Sequence, residues 1–217
     1  MSEAHVARQW SERAQAYRES AAHREGEDLD LIVEWAAGAR TALDVATGGG
    51  HVARRLREAG VTVVSCDPAP GMRADVVCRA EDLPFADGSF DVVATRVAAH
   101  HFADVRAAVG EMARVAAGRV LVVDNLFLDD AAEEADRIRD PSHVRNYTEA
   151  EWRGCLEEAG LKVEEVRRLA KPIEVAPWLE RAGCHGEEEA RVRELLGERV
   201  RDGWITLDRI AIRAVKR

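Results

Sequence analysis

The sequence predicts an α/β fold in which a mostly parallel, doubly wound sheet carries helices on both faces. One observation is an apolar strand at 43–46 that runs into three glycines and then into an amphipathic helix at 51–59. Such a turn joins the carboxyl end of a buried parallel strand to the amino end of a helix. Another is a second apolar strand at 61–66 that ends in Asp67. Strand and helix patterns then alternate along the chain, which is typical of a parallel sheet.

Length and composition favour one domain, 1–217, and a small-molecule substrate. The chain has 217 residues, of which 47% are hydrophobic, enough for one sizeable core. The net charge of −9, without a separate cluster of Lys and Arg, argues against a nucleic-acid partner. No stretch is apolar enough to cross a membrane and the start does not have the pattern of a secretion signal, so we expect a cytoplasmic protein. The four cysteines lack metal-ligand spacing, so we expect reduced packing residues and no metal site.

The turn after the first strand predicts a nucleotide-like ligand. Glycine allows positive φ and close approach to a ligand, and the first N–H groups of the following helix lack partners within that helix. Asp67 would end the neighbouring strand, where a carboxylate can accept hydrogen bonds from two ribose hydroxyls. The pattern Gly48-x-Gly50-x-x-Ala53 also satisfies the loose dinucleotide fingerprint. These residues alone therefore do not separate a nicotinamide cofactor from S-adenosylmethionine.

Two helices are predicted before the first strand. Residues 3–19 repeat apolar positions at helical spacing, and a second helix over 27–37 is ended by Gly38. A helix docked over the mouth of a site can close it, so the N-terminal helices of 1–38 are expected to supply a gate, with Tyr17 near its polar end. A tyrosine that merely packs on the surface is the equal alternative.

Residues 68–78 predict a shortened connection between the second and third strands. Two prolines and a glycine exclude a regular helix before the third strand, which is expected at 76–78 on the sheet edge. One flank of the sheet would then lack its covering helix. We expect that flank either to be polar or to be buried in a homodimer.

Polar residues follow the fourth and fifth strands, which are predicted at 91–95 and 119–124. They would lie at the carboxyl edge of the sheet, the side on which open α/β sheets bind ligands. These residues are Arg96, His100, His101 and Asn125.

The rest of the chain predicts two walls of a substrate pocket. Residues 126–147 are polar and are expected to form a lid that contains a short helix. The strands at 162–169 and 204–215 alternate charged and apolar residues and should pair antiparallel at the sheet edge. The helical excursion between them, 177–200, is the candidate for the second wall.

Several motifs in this order resemble the class I S-adenosylmethionine-dependent methyltransferases, in particular the branch of quinone-biosynthesis C-methyltransferases and their small-molecule relatives. The likeness covers about residues 40–170. The motifs are LDVATGGGH at 43–51, Asp67 with Met72, AEDLPF at 80–85, SFDVV at 89–93, HHF at 100–102 and the closing strand pair.

The resemblance implies a Rossmann-like, seven-stranded sheet with an antiparallel C-terminal strand and a shortened β2–β3 crossover. It also implies S-adenosyl-L-methionine as cofactor and S-adenosyl-L-homocysteine as product. Ala46 stands where the family has its first glycine, and Arg79 where relatives often place an aspartate toward the adenine amino group. The expected cofactor-binding residues are Tyr17, Asp44, Ala46, Gly48, Gly50, Asp67, Pro68, Met72, Ala80, Glu81 and Arg96.

The implied reaction is in-line attack by an O, N or C nucleophile of a small metabolite on the sulfonium methyl group. It mainly requires alignment of the reactants and exclusion of water. His100 or His101 could act as a general base, or could simply form the pocket wall. The residues expected to orient the substrate are Asn125, His143, Arg145 and Tyr147.

Two other functions are compatible with parts of the sequence. A nicotinamide-dependent oxidoreductase is disfavoured because the chain has only three lysines, Lys162, Lys171 and Lys216, and no Tyr-x-x-x-Lys pair. A protein that binds S-adenosylmethionine without transferring methyl, or that uses it in another reaction, is suggested by the shortened crossover and by Arg79. Cofactor binding without a methylated product would distinguish it.

Overall fold

The computed structural model describes residues 3–19 and 24–217, and none of its helices is long and apolar enough to cross a membrane. The strands are β1 (Thr41–Val45), β2 (Thr62–Cys66), β3 (Phe90–Arg96), β4 (Ala116–Asn125), β5 (Leu161–Glu174) and β6 (Trp204–Lys216). The helices are α1 (Glu3–Glu19), α2 (Glu27–Trp35), α3 (His51–Glu58), α4 (Val105–Val115), α5 (Asp130–Arg139), α6 (Glu149–Glu158), α7 (Val175–Ala182) and α8 (Gly186–Leu196).

The strands form one mixed sheet in the order β2-β1-β3-β4-β6-β5. The first four in this order run parallel, and β6 lies antiparallel between β4 and β5. The predicted α/β class with an antiparallel C-terminal strand is therefore confirmed. Because the carboxyl ends of the parallel strands share one edge, the polar residues that follow them are brought together there.

Over residues 3–19 and 24–217 the sheet has six strands rather than the predicted seven. Residues 76–78 form no strand, and Val76 makes only one isolated parallel bridge, to Cys66. A side chain explains the difference: Asp75 Oδ2 accepts hydrogen bonds from the backbone N and the Oγ of Ser65, at 2.8 and 2.7 Å. This carboxylate occupies the edge of β2 where the carbonyl of a third strand would otherwise bind.

Both faces of the sheet are buried, which explains the continuous apolar runs of the central strands. Along β4, Val120 and Val122 pack against α4 and α6, whereas Leu121 and Val123 pack against α2 and α3. The alternation follows from the period of two in a strand.

Helix α1 packs against the short 3₁₀ turn Pro70–Met72, which lies in the connection that follows β2. Ser11 Oγ accepts a hydrogen bond from Gly71 N at 3.0 Å, and an Arg18 guanidinium nitrogen donates to Gly71 O at 3.0 Å. A Cβ on Gly71 would lie 2.6 Å from the backbone of Ser11, so the close approach requires glycine. Met72 is buried as a result, with Ala14 of α1 among its neighbours.

A separate hydrophobic cluster lies beyond the sheet, between α5, α7, α8 and the extended ends of β5 and β6. Trp178 and Leu179 of α7 are buried in it, together with Ala135 of α5. Because β5 pairs with β6 from Leu161 through Glu174, it continues well past the predicted 162–169. The extension carries the helices between these two strands toward the carboxyl edge.

Candidate active site

A cavity of about 440 Å³ opens at the carboxyl edge of the parallel strands. Its size is in the range of small-molecule sites. We call one end the glycine half, lined by the turn after β1 and by residues near 67–72 and 79–81. The other end, the arginine half, is lined by residues within 139–144, by α7 and by the facing ends of β5 and β6.

The turn after β1 adopts left-handed backbone conformations at three positions. Gly48 and Gly50 have φ of 51° and 76°, and Gly50 is the N-cap residue of α3. Ala46 has φ of 54°, so an alanine occupies a conformation that favours glycine. The turn thereby directs the first N–H groups of α3 toward the cavity edge.

Asp44 is buried at the end of β1 beside this turn. Its Oδ2 accepts hydrogen bonds from Thr47 Oγ1 at 2.5 Å and from Ala53 N at 3.0 Å. Burial raises the pKa of Asp44 to about 6 in spite of these bonds. A buried carboxylate with a raised pKa gains from a cationic group placed next to it.

Asp67 follows β2 and presents its carboxylate to the same half of the cavity. Oδ2 accepts a hydrogen bond from Gly48 N at 3.0 Å, and Oδ1 accepts one from Ala69 N at 2.9 Å. Burial raises the pKa of Asp67 although both bonds lower it. Each oxygen retains a further lone pair, so the carboxylate can accept from two hydroxyl groups.

Glu81 lines the cavity but also holds the protein backbone. Its Oε1 accepts hydrogen bonds from Ala103 N at 2.9 Å and Asp104 N at 3.3 Å, and its Oε2 lies 3.4 Å from Arg79 Nε. An adenine contact predicted for Glu81 would therefore share a carboxylate that already positions the start of α4. Met72 lines the cavity nearby as a polarisable apolar surface.

The glycine half fits the cofactor that the sequence predicts. Asp44 suits the ammonium group of its methionine end, and Asp67 has acceptor positions for the two ribose hydroxyls. Met72 offers a surface for a flat ring.

His100 lies between the two halves and is fixed by Asp124. The ring Nδ1 lies 2.6 Å from Asp124 Oδ1, and the backbone N of His100 donates to Asp124 Oδ2 at 2.9 Å. Burial raises the pKa of Asp124, but the imidazole of His100 and the hydrogen bonds that Asp124 accepts lower it by more. The net pKa is below the ordinary value, so the carboxylate is ionised. An ionised carboxylate only accepts, so in the neutral form of His100 Nδ1 carries the proton and Nε2 keeps the lone pair. Burial lowers the pKa of His100, yet Asp124 raises it above the ordinary value.

His101 and His143 surround His100 but have different environments. His101 Nδ1 lies 3.1 Å from the carbonyl of Ser142, and burial together with His100 lowers the pKa of His101 to about 3. His143 Nε2 lies 2.6 Å from Glu133 Oε1, and burial followed by His100 lowers the pKa of His143. Glu133 raises the pKa of His143, but burial and His100 outweigh it, so of the three only His100 has a pKa above its ordinary value.

Arg96 and Asn125 line the cavity and also belong to a buried polar network. Arg96 Nε and one terminal nitrogen of Arg209 donate to the same oxygen of Asp28, at 2.8 and 2.9 Å. Arg209 Nε donates to Asn125 Oδ1 at 3.1 Å. Both predicted residues therefore contribute to the wall through this network.

Three predicted residues do not line the cavity. Gly50 acts as the N-cap of α3. Arg145 donates to Glu151 Oε1 at 2.7 Å, because the capping box of α6 places that carboxylate nearby. The Tyr147 ring packs edge-on against Trp152, with ring centroids 5.4 Å apart.

The side chain of Tyr17 and residues 1–2 and 20–23 lie outside what the structure describes. The predicted residues that do line the cavity are Asp44, Ala46, Gly48, Asp67, Pro68, Met72, Ala80, Glu81, Arg96, His100, His101, Asn125 and His143.

The sequence analysis missed several residues of the cavity wall. Trp10 of α1 lies against His101, with ring centroids 5.0 Å apart, and the apolar stripe of α1 was its only signal. The other three lie on helices: Trp178 and Arg181 belong to α7, and Arg139 is the last residue of α5. No local pattern distinguishes these three from ordinary helix residues.

Comparisons with known proteins agree with this geometry. Residues 43–122 match a family model described as a methyltransferase domain. The chain is 33% identical to the uncharacterised methyltransferase YcgJ of Bacillus subtilis, over 84% of this chain and 82% of that protein. It is 38% identical to a demethylmenaquinone methyltransferase of Thermus thermophilus, over 44% of this chain and 51% of that protein. The crystal structure of B. subtilis YcgJ superimposes with a TM-score of 0.80 and 29% identity, covering 88% of this chain and 98% of the other.

Proposed function

Because this chain belongs to the class I S-adenosylmethionine-dependent methyltransferases, we propose that it methylates a hydroxyl oxygen of a small molecule, with His100 as the general base. Methyl transfer from S-adenosylmethionine follows from the family. The choice of oxygen rests on one observation, the 2.6 Å contact between His100 Nδ1 and Asp124 Oδ1, which lies between the two halves of the cavity.

When bound, S-adenosylmethionine supplies a methyl group made electrophilic by its sulfonium. The chain's own task is to hold the reactants in line and to manage the acceptor's proton. In the glycine half, Asp44 and Asp67 would hold the two polar ends of the cofactor. In the arginine half, the acceptor would lie beside His100.

His100 is suited to remove a proton from a hydroxyl group. Asp124 fixes the tautomer, so that Nε2 is the basic nitrogen, and stabilises the imidazolium that forms. A neutral amine attacks without prior loss of a proton, whereas a hydroxyl becomes a much better nucleophile when a base takes its proton in the transition state. A base held in this manner therefore favours a hydroxyl acceptor over an amine. The raised pKa of His100 means that activity should rise with pH as His100 loses its proton.

His101 and Trp10 support the reaction by excluding water. His101 stays neutral because burial lowers its pKa to about 3, and it packs edge-on against Trp10. We assign α1 the role of a gate, since it brings Trp10 to the cavity. Residues 126–147 would serve as a lid and 177–200 as the second wall of a single domain. We infer a small acceptor in part from the demethylmenaquinone methyltransferase among the relatives.

The test measures transfer of a labelled methyl group from S-adenosylmethionine to a panel of phenols and matched anilines. We expect phenols methylated on oxygen. We also expect His100→Gln to reduce transfer about 10²- to 10⁴-fold while S-adenosylhomocysteine still binds. Asp124→Asn should shift the acid limb of the pH profile to lower pH, because it removes the charge that raises the pKa of His100.

The matched control is His185→Gln, which changes an exposed histidine outside the cavity. It should leave both transfer and binding unchanged. Exclusive methylation of anilines, or full activity in His100→Gln, would show that His100 is not the base.

A further inference from the structure

We propose that the acceptor carries a carboxylate on a flat apolar body and that Arg139 binds this carboxylate. The inference rests on the proposed function and specifies the substrate class of the same site. It is carried by the charge distribution of the cavity and by the surroundings of Arg139.

Charge is divided unevenly between the two halves of the cavity. Among the described residues that line the cavity, every carboxylate belongs to the glycine half, namely Asp44, Asp67 and Glu81. In the described part of the chain no carboxylate lines the arginine half, whereas Arg139, Arg181 and Arg209 do. Arg209 is paired with Asp28, and the other cations that line this half are Arg139 of α5 and Arg181 of α7. A cationic pocket of this kind selects an anionic ligand.

Arg139 has hydrogen-bonding capacity that the described residues leave unused. Its side chain is 11% exposed, and no acceptor among the residues that the structure describes lies within hydrogen-bonding distance of its Nε. The Oδ1 of Asp136, which forms an ion pair with Arg139, lies 3.7 Å from that nitrogen, a distance too long for a hydrogen bond. Asp136 Oδ2 is instead used by Asn146 Nδ2, at 3.0 Å. A buried donor without an acceptor is unfavourable, and a ligand carboxylate would remove that penalty.

The orientation of Arg139 suits a planar anion. Its guanidinium carbon lies 4.4 Å from the centre of the Trp178 ring. Stacking on a ring covers one face of the guanidinium and leaves its edges, where the N–H groups point, available. These edges form the fork that matches a carboxylate in two parallel hydrogen bonds.

The wall that carries these groups has its own hydrophobic core. Trp178 is 6% exposed and packs with buried residues of α5, α7, α8 and both closing strands. A packed core of this kind holds side chains in fixed rotamers. Ile173 and Leu207 add apolar surface to the same half of the cavity. A flat apolar body therefore fits between the carboxylate site and His100.

The experiment compares the positional isomers of hydroxybenzoate with the corresponding hydroxybenzamides, which have the same shape without the charge. Binding is measured by calorimetry with the protein saturated by S-adenosylhomocysteine, up to about 10 mM of each probe, well above the dissociation constant of a weak ligand. We expect at least one acid to bind about tenfold more tightly than its amide, as a charge-assisted pair with arginine implies.

Arg139→Gln should abolish this preference by weakening the acid about tenfold while changing the amide less than about twofold. The matched control is Arg191→Gln, an exposed arginine of α8 that pairs with Glu134 outside the cavity and removes the same charge. It should keep the preference.

Absence of binding by every acid, equal binding of acid and amide, or an undiminished preference in Arg139→Gln would each overturn the proposal. Binding of S-adenosylhomocysteine and the dependence of transfer on His100 are measured separately. A failure here therefore leaves the proposed methylation of a hydroxyl group intact, and failure of that reaction is recognised by its own assay.

Discussion

The exchange Asp67→Asn tests the cofactor half of the mechanism without knowledge of the acceptor. In the structure Asp67 already accepts two backbone hydrogen bonds, from Gly48 N and Ala69 N, one on each oxygen. The two remaining acceptor positions are those assigned to the ribose hydroxyls. Asparagine has the same shape but offers one oxygen and no charge.

The magnitude follows from the hydrogen bonds that are lost or weakened. A hydrogen bond to a charged group contributes about 1.5–3 kcal/mol. The amide nitrogen of asparagine would also face one of the two backbone N–H donors, so one protein contact is lost as well. We expect a loss of about 2–3 kcal/mol of binding free energy, which corresponds to about 30- to 150-fold weaker binding of S-adenosylhomocysteine.

The assay is isothermal titration of S-adenosylhomocysteine into wild type and variant, with thermal unfolding of the ligand-free proteins as a check on folding. Asp75→Asn is the matched control, because Asp75 also accepts a backbone hydrogen bond and a hydroxyl hydrogen bond near β2 but does not line the cavity. A folded Asp67→Asn protein that binds within about twofold of wild type would refute the assignment of Asp67.

Three further outcomes are expected. Because burial raises the pKa of Asp44 to about 6, affinity for S-adenosylhomocysteine should fall as the pH drops through that value and this carboxylate loses its charge. In the same titration, Asp44→Asn should make the affinity much less dependent on pH. Ala46→Gly should raise the free energy of unfolding by up to about 1 kcal/mol, since it relieves a left-handed alanine. The control Ala107→Gly, within helix α4, should instead lower the free energy of unfolding by about 1 kcal/mol. If urea denaturation shows an equal loss of stability in both variants, Ala46 is not strained. Leu179→Ala should cost about 2–5 kcal/mol of stability because Leu179 is 1% exposed, yet a folded variant should bind S-adenosylhomocysteine normally, since the cluster around Leu179 lies apart from the glycine half.

The sequence was informative where the site depends on local structure. The turn at Gly48–Gly50 and the position of Asp67 follow from two strands, one helix and the parallel arrangement, all of which have short-range signals. The lack of a regular α-helix at 68–78 was also predicted correctly, because prolines exclude one there, but the third strand expected to follow at 76–78 was wrong. What replaced the third strand was not visible. It depends on the Asp75 carboxylate, and a side chain that satisfies a strand edge has no periodic pattern.

The remaining parts of the site depend on long-range packing. Asp28 meets Arg96 and Arg209 across 68 and 181 residues of sequence. Arg139 meets Trp178 only because β5 and β6 extend past the sheet and carry α7 to α5. Such contacts arise from tertiary structure and not from propensity or spacing. The same reason explains Arg145, which was assigned to the substrate but is taken up by the capping box of the next helix.

The two proposals are coupled through the charge of Arg139. Asp124 raises the pKa of His100, whereas Arg139 lowers it. An acceptor carboxylate bound to Arg139 would offset that positive charge, so His100 becomes a stronger base when the acceptor is in place. Linkage makes the effect reciprocal: an acceptor or product carboxylate binds more tightly while His100 is protonated. In the proposed reaction, transfer would leave the proton on His100, and loss of this proton to solvent would then weaken binding of the product. The site would in this manner tie product release to the recovery of its base.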